Sequence, residues 1–194
     1  MDIRGGVTIV TGSATGVGAA AAKLLASKGC NVVINYTKSE AEAKETQAEC
    51  EKLGVQTLLC QADVSNDADC RRMAQAAIDK WGRIDGLINN AGTTHFVNHA
   101  NLEGLTADDF HRIYGVNVIG PYQMTRAVAA QMKKQGQGAV TNVSSVAGSP
   151  IAPAVQVTML DGSNNIDATF TGNVTMAIQA GTGGVGAVLS GTTT

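Results

Sequence analysis

The chain is short of several things, and each shortage excludes something. Beyond residue 150 there is no lysine, arginine or glutamate, and only Asp161 and Asp167 carry charge. That stretch cannot continue an alternation of strands with amphipathic helices, because it holds no helix-competent segment. No apolar run approaches the roughly 20 residues a membrane-spanning helix requires. Residues 1–6 are polar, with no apolar signal core behind them. The net charge of −2 lacks the basic excess that marks nucleic-acid or anionic-membrane partners. Cys30, Cys50, Cys60 and Cys70 form no CxxC pair, which points to reduced structural thiols in a cytoplasmic protein. His95, His99 and His111 have no cysteine or acidic cluster at ligand spacing, so no metal site is expected, and His95 and His99 are expected in a solvated loop.

What is present divides into two parts. At 194 residues the chain is long enough for one domain with a sizeable core. Up to about residue 150, strand-like runs at 7–10, 31–35, 56–60, 86–88 and 139–143 alternate with helical stretches at 17–27, 39–53, 67–81 and 106–134. The last helix opens on Thr106 with Asp109 three residues later, a capping-box pattern, and closes on Lys133 and Lys134, which suit a helix C-terminus. Alternation of this kind predicts an α/β fold, a doubly wound parallel sheet covered on both faces. Residues 1–150 are therefore expected to form one domain and 151–194 a separate β-rich segment, in which Val155, Val157 and Met159 alternate with small or polar residues.

The loop TGSATGVG, residues 11–18, follows the apolar run VTIV directly. A strand, a tight glycine loop and a helix start together aim backbone N–H groups and the positive end of a helix dipole at a pyrophosphate. Gly12 would permit the turn, Gly16 a close approach and Gly18 the packing of helix on strand. Ser13, Ala14, Thr15 and Val17 complete the candidate phosphate-binding residues. The later spacing Gly181, Gly183, Gly186 lacks a following helix and is read as a β loop.

With ADV (Ala62, Asp63, Val64), NNAG (residues 89–92), Asn117 in GVNVIG, and NVSS (residues 142–145) followed by Gly148, the chain resembles the short-chain dehydrogenase/reductase family, near its ketoacyl-carrier-protein reductase-like members. The resemblance implies a Rossmann-type sheet and hydride transfer between a nicotinamide cofactor and a carbonyl or alcohol carbon. It implies that Asp63 and Val64 contact the adenine, and that Asn90, Ala91 and Gly92 line the ribose. Asn117 would organise a proton-relay water, and Ser145 would polarise a substrate carbonyl. Members are usually homo-oligomeric. A carboxylate at the end of the second strand usually selects NAD. Here the stretch is Asn35, Tyr36, Thr37, Lys38, with no carboxylate, so NADP is the expected cofactor, with NAD as the alternative.

The resemblance also implies a tyrosine about 13 residues after the serine and a lysine four residues further on. Counting from Ser145 reaches Thr158 and Gly162. No tyrosine anywhere is followed four residues later by lysine. Tyr122 with Arg126 comes nearest and is read as helix packing. The chain is therefore expected to lack turnover. The family's sheet has the order 3-2-1-4-5-6-7, of which five strands are legible here. The fifth is expected as an exposed edge unless the tail pairs onto it, with an incomplete oligomer interface and marginal stability. Residues 151–194 resemble part of an immunoglobulin-like repeat of bacterial surface proteins. The expectation is a junction of unrelated pieces. Besides an oxidoreductase by descent, two readings stand: a non-catalytic dinucleotide-binding module, and a structural or adhesion protein defined by its tail.

Overall fold

The computed structural model describes residues 3–98 and 100–144, together with the backbone of 157–159. The elements run β1 (Val7–Val10), α1 (Gly16–Ser27), β2 (Asn31–Tyr36), α2 (Glu40–Glu51), β3 (Thr57–Gln61), α3 (Asp67–Trp81), β4 (Gly86–Asn89), α4 (Ala107–Tyr114), a π-helical stretch (Gly115–Ile119), α5 (Gly120–Gln135), β5 (Ala139–Asn142) and β6 (Val157–Met159). β1 to β5 are parallel in the order 3-2-1-4-5. The continuous apolar runs that predicted strands buried on both faces behave as such, and all four residues of β1 are buried.

Two cores flank the sheet. On one face Ile9, Val33 and Leu87 meet Cys70, Met73 and Ala77 of α3 and Met124, Val128 and Met132 of α5. On the other, Val10, Val32 and Ile34 meet Ala22 and Ala26 of α1 and Ala43 and Cys50 of α2. All four cysteines are buried thiols. Burial pushes the Cys50 and Cys70 thiols up to about 11, so both stay protonated at neutral pH. At the N-terminal edge, buried Asp85 accepts the Val7 N–H at 2.8 Å and a bidentate Arg83 pair at 2.7 Å, which pins β1 to the chain entering β4.

Helix ends follow the sequence closely. Asn66 caps α3 by accepting the Ala68 and Asp69 N–H groups, and Gly82 ends it in the left-handed region. Thr106 and Asp109 form the expected capping box on α4. The single helix expected over residues 106–134 is instead interrupted. Gly115–Ile119 widens to a π turn in which the Gly120 N–H reaches the Gly115 carbonyl. Pro121 is the physical reason. It has no N–H for the Asn117 carbonyl four residues back, and its ring crowds that carbonyl, so the turn opens.

The β5 edge is covered over three residues, where the backbone of 157–159 pairs antiparallel with Ala139, Val140 and Thr141. The remainder of the expected β-rich segment lies outside the described residues. Phe110, Tyr114, Val118 and Tyr122 recur every fourth residue along α4, the π turn and α5, and each is more than half exposed. Tyr122 therefore does not pack as expected. It lies under the Arg126 guanidinium, which pairs with Asp67 on α3. No helix among the described residues is long and apolar enough to cross a membrane.

Candidate functional site

The chain leaves β1 toward β2 on one side of the sheet and reaches β4 on the other, so a crevice opens between their C-terminal ends. The glycine loop fills its floor. Gly12 has φ +62°, which L side chains rarely adopt, and a Cβ there would stand 2.9 Å from the Ala91 Cα. At Gly18 a Cβ would strike the Gly12 carbonyl and come within 2.5 Å of the Asn90 amide nitrogen. Gly16, at φ +58°, faces open space, with nothing within 4 Å of a would-be Cβ. Gly12 thus makes the turn and Gly18 the close packing of helix on strand, while Gly16 is the position left open to an approaching group.

The N-terminus of α1 differs from those of α3 and α4. Its N-cap Thr15 makes no side-chain cap, and no acidic residue stands in its first turn. Thr15, Gly16 and Val17 are exposed in succession. First-turn N–H groups have no intrahelical acceptor, so these point a positive dipole end into the crevice. That donor set fits an anion such as a pyrophosphate. A groove of about 420 Å³ between α1 and α2 shares Ala14, Thr15 and Gly16 with the loop, but Glu42, Glu45 and Glu49 line its far side and make it a poor anion site.

Several expected contact residues turn their side chains into protein. Ser13 Oγ donates to the Val10 carbonyl at 2.7 Å and accepts the Asn35 N–H at 2.9 Å. Asn35 is 2% exposed and its carboxamide is hydrogen-bonded at both ends. Tyr36 and Val64 are buried, and Val64 packs against Gly120. Ala14 is buried, its carbonyl held by the Thr46 hydroxyl of α2 at 3.0 Å. Thr37 and Lys38 are exposed just past β2. Asp63 is exposed and accepts the Ser65 N–H and hydroxyl.

The Asn90 turn joins the loop from the other side of the crevice. Asn90 Nδ2 donates to the Thr11 and Gly12 carbonyls at 3.0 and 3.1 Å. Thr11 Oγ1 accepts the Asn90 and Ala91 N–H groups at 2.9 and 3.0 Å. Gly92 follows, and a Cβ on it would lie 3.7 Å from Asn117 Oδ1. Asn117, in the π turn, accepts the Thr93 N–H and donates to the Thr93 carbonyl. Arg112 donates to the Thr93 hydroxyl at 2.7 Å. Asp109 carries His95 Nδ1 at 2.8 Å, and its carboxyl is held well below the usual range, chiefly by the Thr106 N–H and hydroxyl and then by His95. Asn89 Nδ2 donates to Asn142 Oδ1 at 2.9 Å, while its buried Oδ1 has no partner among the described residues.

The crevice thus brings together the loop, the Asn90 turn and Asn117. Ser145, Gly148 and His99 lie outside the described residues. Thr158, reached by counting from Ser145, stands in β6 opposite Val140. Sequence reasoning missed Thr46, Thr93 and Arg112. Only the short distance of Thr93 from the NNAG run hinted at it, because the other two act from helices remote in sequence. No group of three or more His, Cys, Asp or Glu side chains is placed to hold a metal among the described residues.

Residues 6–157 match the family described as short chain dehydrogenase. A Streptomyces violaceoruber protein named as a ketoacyl reductase of the granaticin polyketide synthase is 37% identical over 168 residues, 86% of this chain and 66% of that one. A crystal structure named as a short-chain dehydrogenase/reductase of Burkholderia xenovorans superposes with TM-score 0.71 at 41% identity, covering 74% of this chain and 60% of that one. An NAD+-bound xylitol dehydrogenase superposes with TM-score 0.69 at 28% identity, over 76% and 56%. The chain spans less than two thirds of the length of each of these relatives. With its parallel sheet, glycine loop and Asn90 turn in place, the chain belongs to the short-chain dehydrogenase family.

Proposed function

We propose that this chain binds a nicotinamide dinucleotide across the crevice between β1 and β4, with NADP preferred over NAD, and that its ancestry is that of an oxidoreductase acting on carbonyl or alcohol substrates. The observation that carries the reading is the uncapped α1 N-terminus behind Gly12 and Gly16. Its first-turn N–H groups would hold the pyrophosphate, and Gly18 keeps the helix close enough to the strand for them to do so. Asp63, Ala91 and Gly92 would border the adenosine. In the bound state the nicotinamide would supply the hydride chemistry.

NADP is favoured by what surrounds the end of β2. Neither the sealed Asn35 nor the buried Tyr36 offers a carboxylate to repel a 2′-phosphate, and exposed Lys38 offers a cation. Asn117 would contribute through its main-chain carbonyl, which Pro121 leaves without its i+4 donor, since its side chain already grips Thr93. Ser145 would polarise the substrate carbonyl. We read residues 1–150 as the dinucleotide-binding domain and 151–194 as a separate β-rich segment.

These 194 residues hold no tyrosine–lysine pair at the family spacing, so the proposal is cofactor binding without turnover. A positioned general acid contributes about 10²–10⁴ in rate, and an aliphatic hydroxyl such as that of Thr158 is a poor substitute for a phenol. Calorimetric titration with NADP+ and NAD+, followed by a panel of ketones assayed with NADPH or NADH and of alcohols assayed with NADP+ or NAD+, tests each part separately. Equal or tighter binding of NAD+ would sink the cofactor preference, and measurable reduction would sink the claim of no turnover.

A further inference from the structure

We infer that Asn35 is a positioning residue for the dinucleotide: its carboxamide sets the glycine loop from beneath and itself touches no ligand. The inference rests on the loop being the cofactor cradle. Asn35 Oδ1 accepts the Gly12 N–H at 2.9 Å. Its Nδ2 donates to the carbonyls of Ala62 at 2.9 Å and Cys60 at 3.2 Å, where β3 ends, with a longer contact to the Tyr36 carbonyl at 3.4 Å. One side chain thus ties the end of β1 to the end of β3, across β2. The backbone doubles the tie, because the Ser13 N–H donates to the Asn35 carbonyl at 2.9 Å.

A carboxamide offers an acceptor and a donor together at this reach and stays uncharged at every pH, which a carboxyl group does only when protonated. The need for both is absolute here, since Asn35 is 2% exposed and water cannot replace either partner. The N–H groups offered to a pyrophosphate begin only a few residues past Gly12, so an error at Gly12 passes directly to them. Displacements near 1 Å are costly in sites that depend on positioning.

The test uses the full chain with NADP+ as the probe, and the variants Asn35→Ala and Asn35→Asp. At a temperature where circular dichroism shows Asn35→Ala folded, its NADP+ affinity is expected to fall about tenfold or more, the equivalent of one well-made hydrogen bond to a buried group. Amide exchange should accelerate over residues 12–18 while residues 67–81 stay protected. Asn35→Asp keeps the acceptor for Gly12 but, when ionised, has no donor for the Ala62 and Cys60 carbonyls; protonated, it regains one. Its affinity should therefore be weak at pH 8 and recover toward wild type at pH 5, a recovery that Asn35→Ala lacks. A residue that merely stabilises the fold would lower the thermal midpoint and leave affinity and its pH profile unchanged. That result, or unaltered exchange over 12–18 in Asn35→Ala, overturns the inference. Failure of the wild type to bind NADP+ would remove the cofactor reading, and the exchange pattern would then decide by itself whether Asn35 holds the loop.

Discussion

Asn117 and Thr93 hold each other at both ends of one carboxamide: Oδ1 accepts the Thr93 N–H and Nδ2 donates to the Thr93 carbonyl, each at 2.8 Å. Asn117 sits in the π turn and Thr93 just beyond the Asn90 turn, so this pair closes the crevice rim opposite the glycine loop. Asn117→Asp keeps one hydrogen bond and sets a carboxylate against a carbonyl. We expect a loss of about 1 kcal/mol in urea unfolding, in keeping with a partly exposed hydrogen bond, and faster amide exchange at residues 93–98. Unchanged exchange there would show that the pair does not hold the rim.

The glycines of the loop should separate stability from binding. Gly18→Ala drives a methyl into the Gly12 carbonyl and the Asn90 amide, so both the fold and cofactor affinity should suffer, with destabilisation of about 1–3 kcal/mol as for other overpacked sites. Gly16→Ala meets no atom, and its stability cost should be only the ~1–2 kcal/mol of a left-handed L residue. Its methyl projects toward the proposed pyrophosphate, so binding should weaken more than stability. Denaturant unfolding and NADP+ titration of both variants check the contrast.

Lys38→Ala should weaken NADP+ binding several-fold and leave NAD+ binding nearly unchanged, because only the former carries a 2′-phosphate. The exposed side chain makes the effect salt-sensitive, and it should shrink as ionic strength rises from about 0.01 to 1 M. Identical losses for the two cofactors would place Lys38 outside the recognition of that phosphate.

Acid should destabilise the chain through specific carboxyls. Asp109, Asp69, Asp67 and Glu49 all have depressed values: Asp109 through Thr106 first, Asp69 through the Asp63 N–H, Asp67 through Arg71 and Arg126, and Glu49 through Lys23. A depressed folded value means the unfolded chain binds more protons in the window between the two values. The contribution is therefore complete above the unfolded value of about 4 and is lost as pH falls through the folded one. Urea midpoints should be flat from about pH 6 to 5 on this account and decline below pH 4. Asp109→Asn should flatten part of that decline; an unaltered acid limb would assign it to the other carboxyls.

Much of the scaffold is legible in the sequence because its signals are local. The VTIV and VVIN runs need no partner to read as buried strands, and Thr106 with Asp109 at one end and Lys133 with Lys134 at the other mark helix ends through chemistry within a turn of themselves. The π turn is less legible. Its cause, Pro121, is visible in the chain, but a proline near a glycine reads equally well as a kink or a helix start. Ser13, Asn35, Tyr36 and Val64 read as ligand contacts from the sequence, whereas folding turns all four side chains into protein. Proximity to a motif in sequence says nothing about which way a side chain faces once β2 is flanked by β1 and β3.

Composition and spacing by themselves determined that a parallel sheet would carry a glycine loop at the start of its first helix, and that no tyrosine–lysine pair at the family spacing lies anywhere in the chain. Those properties depend on local propensity, periodicity and residue identity. Tertiary structure alone decided which loop groups remain open and which are sealed. Asn35 reaches Gly12 and Ala62, Thr46 reaches Ala14, and Asn90 reaches Thr11 across separations of 23 to 79 residues, and a hydrogen bond over such a distance exists only after the sheet has assembled.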